Sequence, residues 1–500
     1  MDSVAVETNT WAIVAFIAYL LIIVGIGIFA SRFSSKGIAE YFVAGRTLNR
    51  YVMALSAVVS GRSAWLLIGM TGMAYSVGAQ AVWAVVGYIV VEIFLFLYYA
   101  RRIRRFAGVY DSITIPDFFA SRFDDKTGIL RIVVVSIILI FMIGYVSAQF
   151  VAGGKTFASG FNISPNTGVL LTALIVVLYT IVGGFLAVSL TDMVQAFFML
   201  FSLVIMPIVV IVDLGGWAIV ASQLMELDPL LVDPFSLSVG AAIGLLGIGL
   251  GSPGNPHIVA RYLSIEHPSQ FKTACVVGTT WNILMAAGAL FIGLAGRFVF
   301  PETSLLPSSD TENLFPVLAQ HYLHPVIFGV VIASIFAAIM STADSQLLVA
   351  ASSVVRDIYE KLIHKNETIE QAKLVFLSRV VVAIIVLISL AFGFLAQDLV
   401  FWLVLFAWAG LGAALGPTTI LALYWKRTTK EGIIAGMISG TLVTIVWYFI
   451  PFLKASMYEL IPGFIAGFAV TIVVSLFTIP PQNASALMQS MDNDEPINHV

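Results

Sequence analysis

A helix rises 1.5 Å per residue, so about 20 apolar residues reach across the hydrocarbon core of a bilayer. Runs of that kind recur from one end of this sequence to the other. In hydrocarbon every backbone N–H and C=O must find its partner within the protein, and helices satisfy that demand locally. Composition agrees: 60% of the 500 residues are hydrophobic and 11% are charged, whereas a soluble domain carries about 25% charge. Such a chain cannot cover a surface facing water on all sides. A cytosolic enzyme, a nucleic-acid binder and a disordered protein are excluded. The single cysteine, Cys275, leaves no intramolecular disulfide and no cysteine-based metal site. The expected fold class is an all-α polytopic membrane protein.

Thirteen spans are read: near 11–30, 51–77, 80–100, 129–158, 166–188, 190–212, 236–256, 273–300, 325–350, 374–396, 399–424, 432–451 and 460–478. The first is a retained span, because Asp2 and Glu7 stand where a signal peptide needs basic residues. Of the 25 Lys and Arg, 21 fall on one alternating set of loops, and only Lys155, Arg297 and Lys454 fall on the other. By the positive-inside rule the N-terminus lies outside and the C-terminus in the cytoplasm, in the plasma (inner) membrane. Residues 1–480 are expected to form a single domain, and 481–500, with Asp492, Asp494 and Glu495, a disordered cytoplasmic tail.

Two spans carry internal breaks. Val59-Ser60-Gly61-Arg62-Ser63-Ala64 interrupts span two, and the glycine- and proline-rich stretch Gly247 to Pro256 interrupts span seven. Five spans counted from each break give repeats of about 51–212 and 236–424, and an odd repeat length forces them to be inverted. Inverted-repeat transporters bind their cargo at such discontinuities. Freed carbonyls there can replace the water shell of a small cation. On span nine the carbonyl of Ala338 and the hydroxyls of Ser341 and Thr342 lie on one helix face. Taken alone, those hydroxyls serve equally well bonded back to the preceding turn, or as small residues for close packing.

Further segments are informative in combination. They are Arg46-Thr47-Leu48, Ser63-Ala64-Trp65-Leu66-Leu67, Ile115-Pro116-Asp117-Phe118, and Gly183 to Asp192. Others are Gly254-Asn255-Pro256-His257, Met340-Ser341-Thr342, Ala407-Trp408-Ala409-Gly410 and Ile461-Pro462-Gly463-Phe464. In this order, over about residues 11–480, they resemble the solute:sodium symporter family, and within it the sodium/proline symporters. The resemblance implies a LeuT-type five-plus-five core, a single transporter domain, and one sodium ion driving a small solute inward. It assigns sodium to Ala338, Ser341 and Thr342 together with the backbone carbonyls of Val59 and Arg62. It places Ser63, Ala64 and Tyr145 beside the solute, and Asp192 at the cytoplasmic end of span six. The chain departs from proline members at Gly61-Arg62, where they carry Asp-Met, and at Ile248, Ser252 and Pro253, where they carry aromatics. These three are expected to line the solute pocket.

Arg62 stands within a span, where an unpaired charge costs at least ~2.5–3.5 kcal/mol. Glu92, midway along span three, is the acid available to neutralise it. The two form either a charge pair or, with Arg62 freed, an anchor for a solute carboxylate. The expected function is sodium-coupled import of proline or a related amino or carboxylic acid. The alternatives are a carrier of another organic acid or a sugar, a sodium-independent carrier, and a membrane sensor of the same fold.

Overall fold

The computed structural model describes residues 9–34, 37–365, 367–395 and 399–492. Among these, the only β pairing is an isolated bridge between Leu48 and Ile265; the rest of the regular structure is helical. Among the described residues, ten helices are long and apolar enough to cross a membrane, and Pro165–Ile181 and Val239–Gly254 are shorter apolar helices. Length alone therefore does not return the expected thirteen. Two of the longest helical stretches fold back on themselves. Arg50–Val109 reverses at Gly78, whose φ of 69° suits glycine and where a side chain would fall on the backbone of Leu231. Pro165–Asp213 breaks at Gly184 (φ 63°, ψ −177°), a few residues before the boundary expected between spans five and six. Spans keep below the numbers given to them above.

Spans nine and eleven form the centre, each with 83% of an 18-residue window buried, against 28% for span one. Small residues permit this. The run Ala407 to Gly416 lets span eleven close on the break of span seven, and a Cβ on Gly412 would lie 2.5 Å from the Cα of Gly251. Span one packs Phe16 against Phe336 of span nine and Phe157 of span four, with ring centroids 4.9 and 5.8 Å away. The loops around it carry short helices, Trp217–Leu227 and Leu314–Tyr322. Between spans eight and nine, the Glu312 carboxylate accepts the amides of Val400 and Phe401 at 3.0 and 2.8 Å, capping span eleven from a distant loop. Lys155 balances it at 2.6 Å.

One expectation is corrected. The segment 481–500 was expected to be disordered, yet Ala484–Asp492 is a helix; residues 493–500 lie outside the described residues. Leu487 and Met491, one turn apart, are buried. Arg105 donates to the carbonyls of Met491 and Asp492, both at 3.0 Å, and Arg102 pairs with Asp492 at 3.0 Å. A cation at the last carbonyls of a helix is favourable. The acidic composition of the segment concealed this short amphipathic turn.

Candidate functional site

In span two the helix breaks at Ser63, which adopts φ 51° and ψ −171°. Its hydroxyl accepts the Trp65 amide at 3.1 Å, and Gln149 of span four accepts the Ala64 amide at 3.1 Å. Tyr145, one turn before Gln149, donates to the Ser63 hydroxyl at 3.5 Å. Span four thus supplies the hydrogen bonds that the break gives up, which is why so polar a feature survives in the interior. In span seven the residues Ile248–Gly254 form a tight 3₁₀ turn. Its freed carbonyls go mainly to side chains: Trp408 donates to Ile248 at 2.8 Å, Asn255 to Gly251 at 2.8 Å and Tyr99 to Pro253 at 3.0 Å.

Span nine faces the break of span two. The Thr342 hydroxyl donates to the Ser60 carbonyl at 3.0 Å, and the Ser341 hydroxyl to the Ala338 carbonyl at 3.2 Å. Val59, Ala338, Ser341 and Thr342 are all fully buried. The Arg62 carbonyl accepts the Trp65 amide.

Between the two breaks lies a small cavity of about 10 Å³, lined by Gly61, Trp65, Tyr88, Tyr145, Ile248 and Trp408 among others. Of the residues expected at the solute pocket, Tyr145 and Ile248 line it. Ser63 is reached through Tyr145, and Ala64 is turned to Gln149. Ser252 and Pro253 are buried but do not line it, and the Pro253 carbonyl accepts from Tyr99. A second cavity of about 500 Å³ shares Ile248 and Leu405 with the first. These two side chains stand between them.

Glu459 lines the larger cavity and is 5% exposed. Burial pushes its carboxyl up to about 6 from an ordinary 4.5. The folded protein then holds a proton that the unfolded chain releases, so stability falls as pH rises from 4.5 to about 6. The loss levels off at about 2 kcal/mol. Glu459→Gln is expected to change unfolding by less than about 0.5 kcal/mol at pH 4.5 and to stabilise the protein by up to the full amount at pH 7.5. Thermal unfolding in detergent across this range checks it; equal effects at both pH values would contradict it.

Arg62 and Glu92 meet. Arg62 Nη2 donates to Glu92 Oε2 at 3.1 Å, Nε donates to Asn282 Oδ1 at 2.6 Å, and the guanidinium lies 3.3 Å above the Tyr88 ring. The Asn282 amide in turn donates to Glu92. Arg62 and Glu92 are 3% and 2% exposed. Arg62 does not line the small cavity; its Nε and Nη2 are taken by protein partners, while Nη1 is buried without a hydrogen-bond partner among the described residues. Sequence reasoning missed Tyr88 and Asn282, although an asparagine in the middle of an apolar span was a usable signal.

Asp192 lies inside the helix Pro165–Asp213. Its Oδ2 accepts from Ser56 at 2.6 Å, Ser60 at 3.2 Å and Arg261 Nη2 at 3.0 Å. Arg261 also donates to Ser56 at 3.0 Å, to the His257 carbonyl at 2.7 Å, and to Ser345. Arg261 had been counted among the loop charges; the structure buries it completely, in the helix Pro256–Ser264. This pair ties together spans two, six, seven and nine on the side of the breaks toward Arg50.

The profile of the sodium:solute symporter family matches residues 41–440. The sodium/proline symporters of Staphylococcus aureus strains JH9 and NCTC 8325 / PS 47 are each 37% identical to this chain over 488 residues. The match covers 95% of this chain and 94% of theirs. In fold, the chain is similar to a Na+-coupled sialic acid symporter in a substrate-bound, outward-open state. That match has a TM-score of 0.80 at 18% identity, over 95% of this chain and 99% of that one. It is also similar to Mhp1, a nucleobase-cation-symport-1 transporter, in a closed conformation (TM-score 0.55, 12% identity, 91% of this chain and 99% of that one). The broken helices, the all-α architecture and a relationship that runs nearly end to end place this chain in the sodium:solute symporter family, with a LeuT-type fold.

Proposed function

We propose that the protein imports proline or a related small amino or carboxylic acid with one sodium ion, by alternating access across the plasma (inner) membrane. The reading includes thirteen crossings, with the N-terminus outside and the C-terminus in the cytoplasm. The observation that carries it is the seating of span nine against the break of span two, where Thr342 reaches the Ser60 carbonyl at 3.0 Å. Carbonyls and neutral hydroxyls in a buried setting suit a monovalent cation. The ion is assigned to the carbonyls of Val59, Arg62 and Ala338 and the hydroxyls of Ser341 and Thr342. The solute is assigned to the space between the breaks, beside Ser63, Ala64, Tyr145, Ile248, Ser252 and Pro253. Ile248 and Leu405 form the outer gate, and Asp192 with Arg261 the cytoplasmic one. The aromatic walls Trp65, Tyr88, Tyr145 and Trp408 favour a compact solute with an apolar ring. The pairing of Arg62 with Glu92 cancels the fixed positive charge that a sodium-independent mechanism requires.

One charge crossing 100 mV releases about 2.3 kcal/mol, and a tenfold ion gradient adds about 1.4 kcal/mol. Together they sustain accumulation of roughly 400-fold at the limit. The double variant Ser341→Ala/Thr342→Ala is expected to raise the sodium concentration for half-maximal uptake at least about tenfold, the loss of one or two good ligands. Uptake of labelled proline and a panel of acids and sugars into proteoliposomes, at graded sodium, measures both. An unchanged sodium dependence would move the ion elsewhere. A sodium-driven sugar signal with no response to proline would overturn the solute class.

A further inference from the structure

Span nine carries an acid that the transport reading does not use. Asp344 lies one helix turn beyond Ser341 and is fully buried. Its Oδ1 accepts the Ser345 hydroxyl at 2.9 Å, while Oδ2 has no hydrogen-bond partner among the described residues. Cations on the helices packed around span nine are engaged elsewhere. Arg62 of span two is on Glu92, and Arg261 of Pro256–Ser264 is on Asp192. At the two ends of span four, Arg131 holds Asp117 and Asp357, and Lys155 holds Asp310 and Glu312. Arg379 of span ten lies beside Tyr41.

The titratable groups around Asp344 are therefore few. Span one presents Tyr19, whose hydroxyl donates to the Met340 sulfur at 3.9 Å, one turn before Asp344, and accepts from Gln195 of span six at 3.1 Å. Tyr19 stands within electrostatic reach of both Asp344 and Asp192. The helix Pro256–Ser264 presents His257 and Arg261, and short helices at the two ends of span nine add Glu40, Tyr41 and His321. A carboxylate at this depth with no cation beside it is costly, so a cation from solution must neutralise it.

One hydroxyl links this acid to the assigned ion. Ser345 accepts from Arg261 and has a single hydrogen for two acceptors, Asp344 Oδ1 at 2.9 Å and the Ser341 carbonyl at 2.7 Å. An ionised Asp344 draws that hydrogen to itself, since the bond to a charged acceptor is the stronger. The sodium ligands assigned above are all neutral oxygens, and Asp344 is the anion that shares their helix.

We infer that Asp344 is a proton-binding site that competes with the sodium ion on span nine. In the empty protein the carboxyl carries a proton. As sodium binds, the O–H bond breaks, the proton passes to water, and the carboxylate left behind supplies negative charge one helix turn from the ion. The inference rests on the sodium reading of the site and does not depend on which solute is carried.

The test uses the full chain in weakly buffered detergent, with sodium chloride added against choline chloride at equal ionic strength. Thermal stabilisation gives the apparent sodium affinity, and a pH-indicator dye counts protons released. Wild-type protein is expected to release up to about one proton per sodium bound, by the reciprocity of linked equilibria. Its sodium affinity is expected to weaken about tenfold or more from pH 8 to pH 5.5, as a unit charge one helix turn away is lost. Asp344→Asn is expected to bind sodium weakly at every pH and to release no proton. Asp344→Ser, smaller and also uncharged, is expected to do the same and serves if the first variant does not fold. Proton release that survives in either variant overturns the inference and moves the proton to Asp192 or His257. Wild-type sodium affinity that is flat with pH overturns it and leaves the sodium site standing, as does binding of a second sodium ion without proton release. Absence of any stabilisation by sodium overturns both.

Discussion

Replacing Arg62 with methionine is expected to destabilise the protein by about 3–5 kcal/mol, and replacing Glu92 with alanine at the same time to restore much of that loss. Each single change strands a buried charge. Glu92 without Arg62 keeps only the Asn282 amide, and Arg62 without Glu92 keeps only Asn282 and the face of Tyr88. Removing both charges leaves a small void, two apolar side chains and the Asn282 amide without these partners, still a cheaper outcome than an uncompensated ion. Unfolding of the three variants in detergent, together with uptake by each, measures the coupling. Strictly additive destabilisation would show that the contact at 3.1 Å carries no energy. A well-folded but inactive double variant would return Arg62 to the role of solute anchor.

Arg261→Met is expected to have a comparable effect on stability, about 3–5 kcal/mol, and to abolish uptake. It removes every donor that Asp192 has besides the hydroxyls of Ser56 and Ser60. The informative variant is Arg261→Lys. A guanidinium donates here to four groups in fixed directions, namely Ser56, the His257 carbonyl, Asp192 and Ser345. A lysine ammonium is a compact point charge that cannot serve such a spread. Arg261→Lys is therefore expected to recover the charge but remain about 2 kcal/mol less stable than the wild type, the loss of one or two charged hydrogen bonds. Wild-type stability and uptake in Arg261→Lys would show that charge alone closes this end of the protein.

Much of the architecture was legible because it rests on local properties. Apolar runs must be helical in hydrocarbon whatever surrounds them. Gly61 within Val59–Ala64, and the glycines and proline of Gly247–Pro256, weaken the helix on their own account. The structure breaks span two at Ser63 and tightens span seven over Ile248–Gly254. Arg62 and Glu92 could be matched from sequence because a buried charge needs a counter-charge and few were available. Less of the site was legible. Ile248 and Tyr145 line the small cavity, while Ser252 and Pro253, in the same tight turn as Ile248, do not.

The rest was decided by contacts between residues far apart in the chain. The carbonyls freed in span seven were expected to await a ligand, yet Trp408, 160 positions away, takes that of Ile248. Arg261 counted as a loop charge until spans two and six packed around it and supplied Ser56 and Asp192. Asn282 became the link between Arg62 and Glu92 when span eight lay across them. The helix Ala484–Asp492 is held where Arg102 and Arg105 of another helix meet its last turn. Hydropathy, helix-breaking residues and the oriented loop charges are properties of a segment and its solvent, so the sequence alone determined the membrane-spanning, all-helical, twice-broken chain. Which polar group satisfies which is a property of helix packing, where an unpaired donor or charge is costly and any distant partner that reaches it wins. That choice belonged to the tertiary structure.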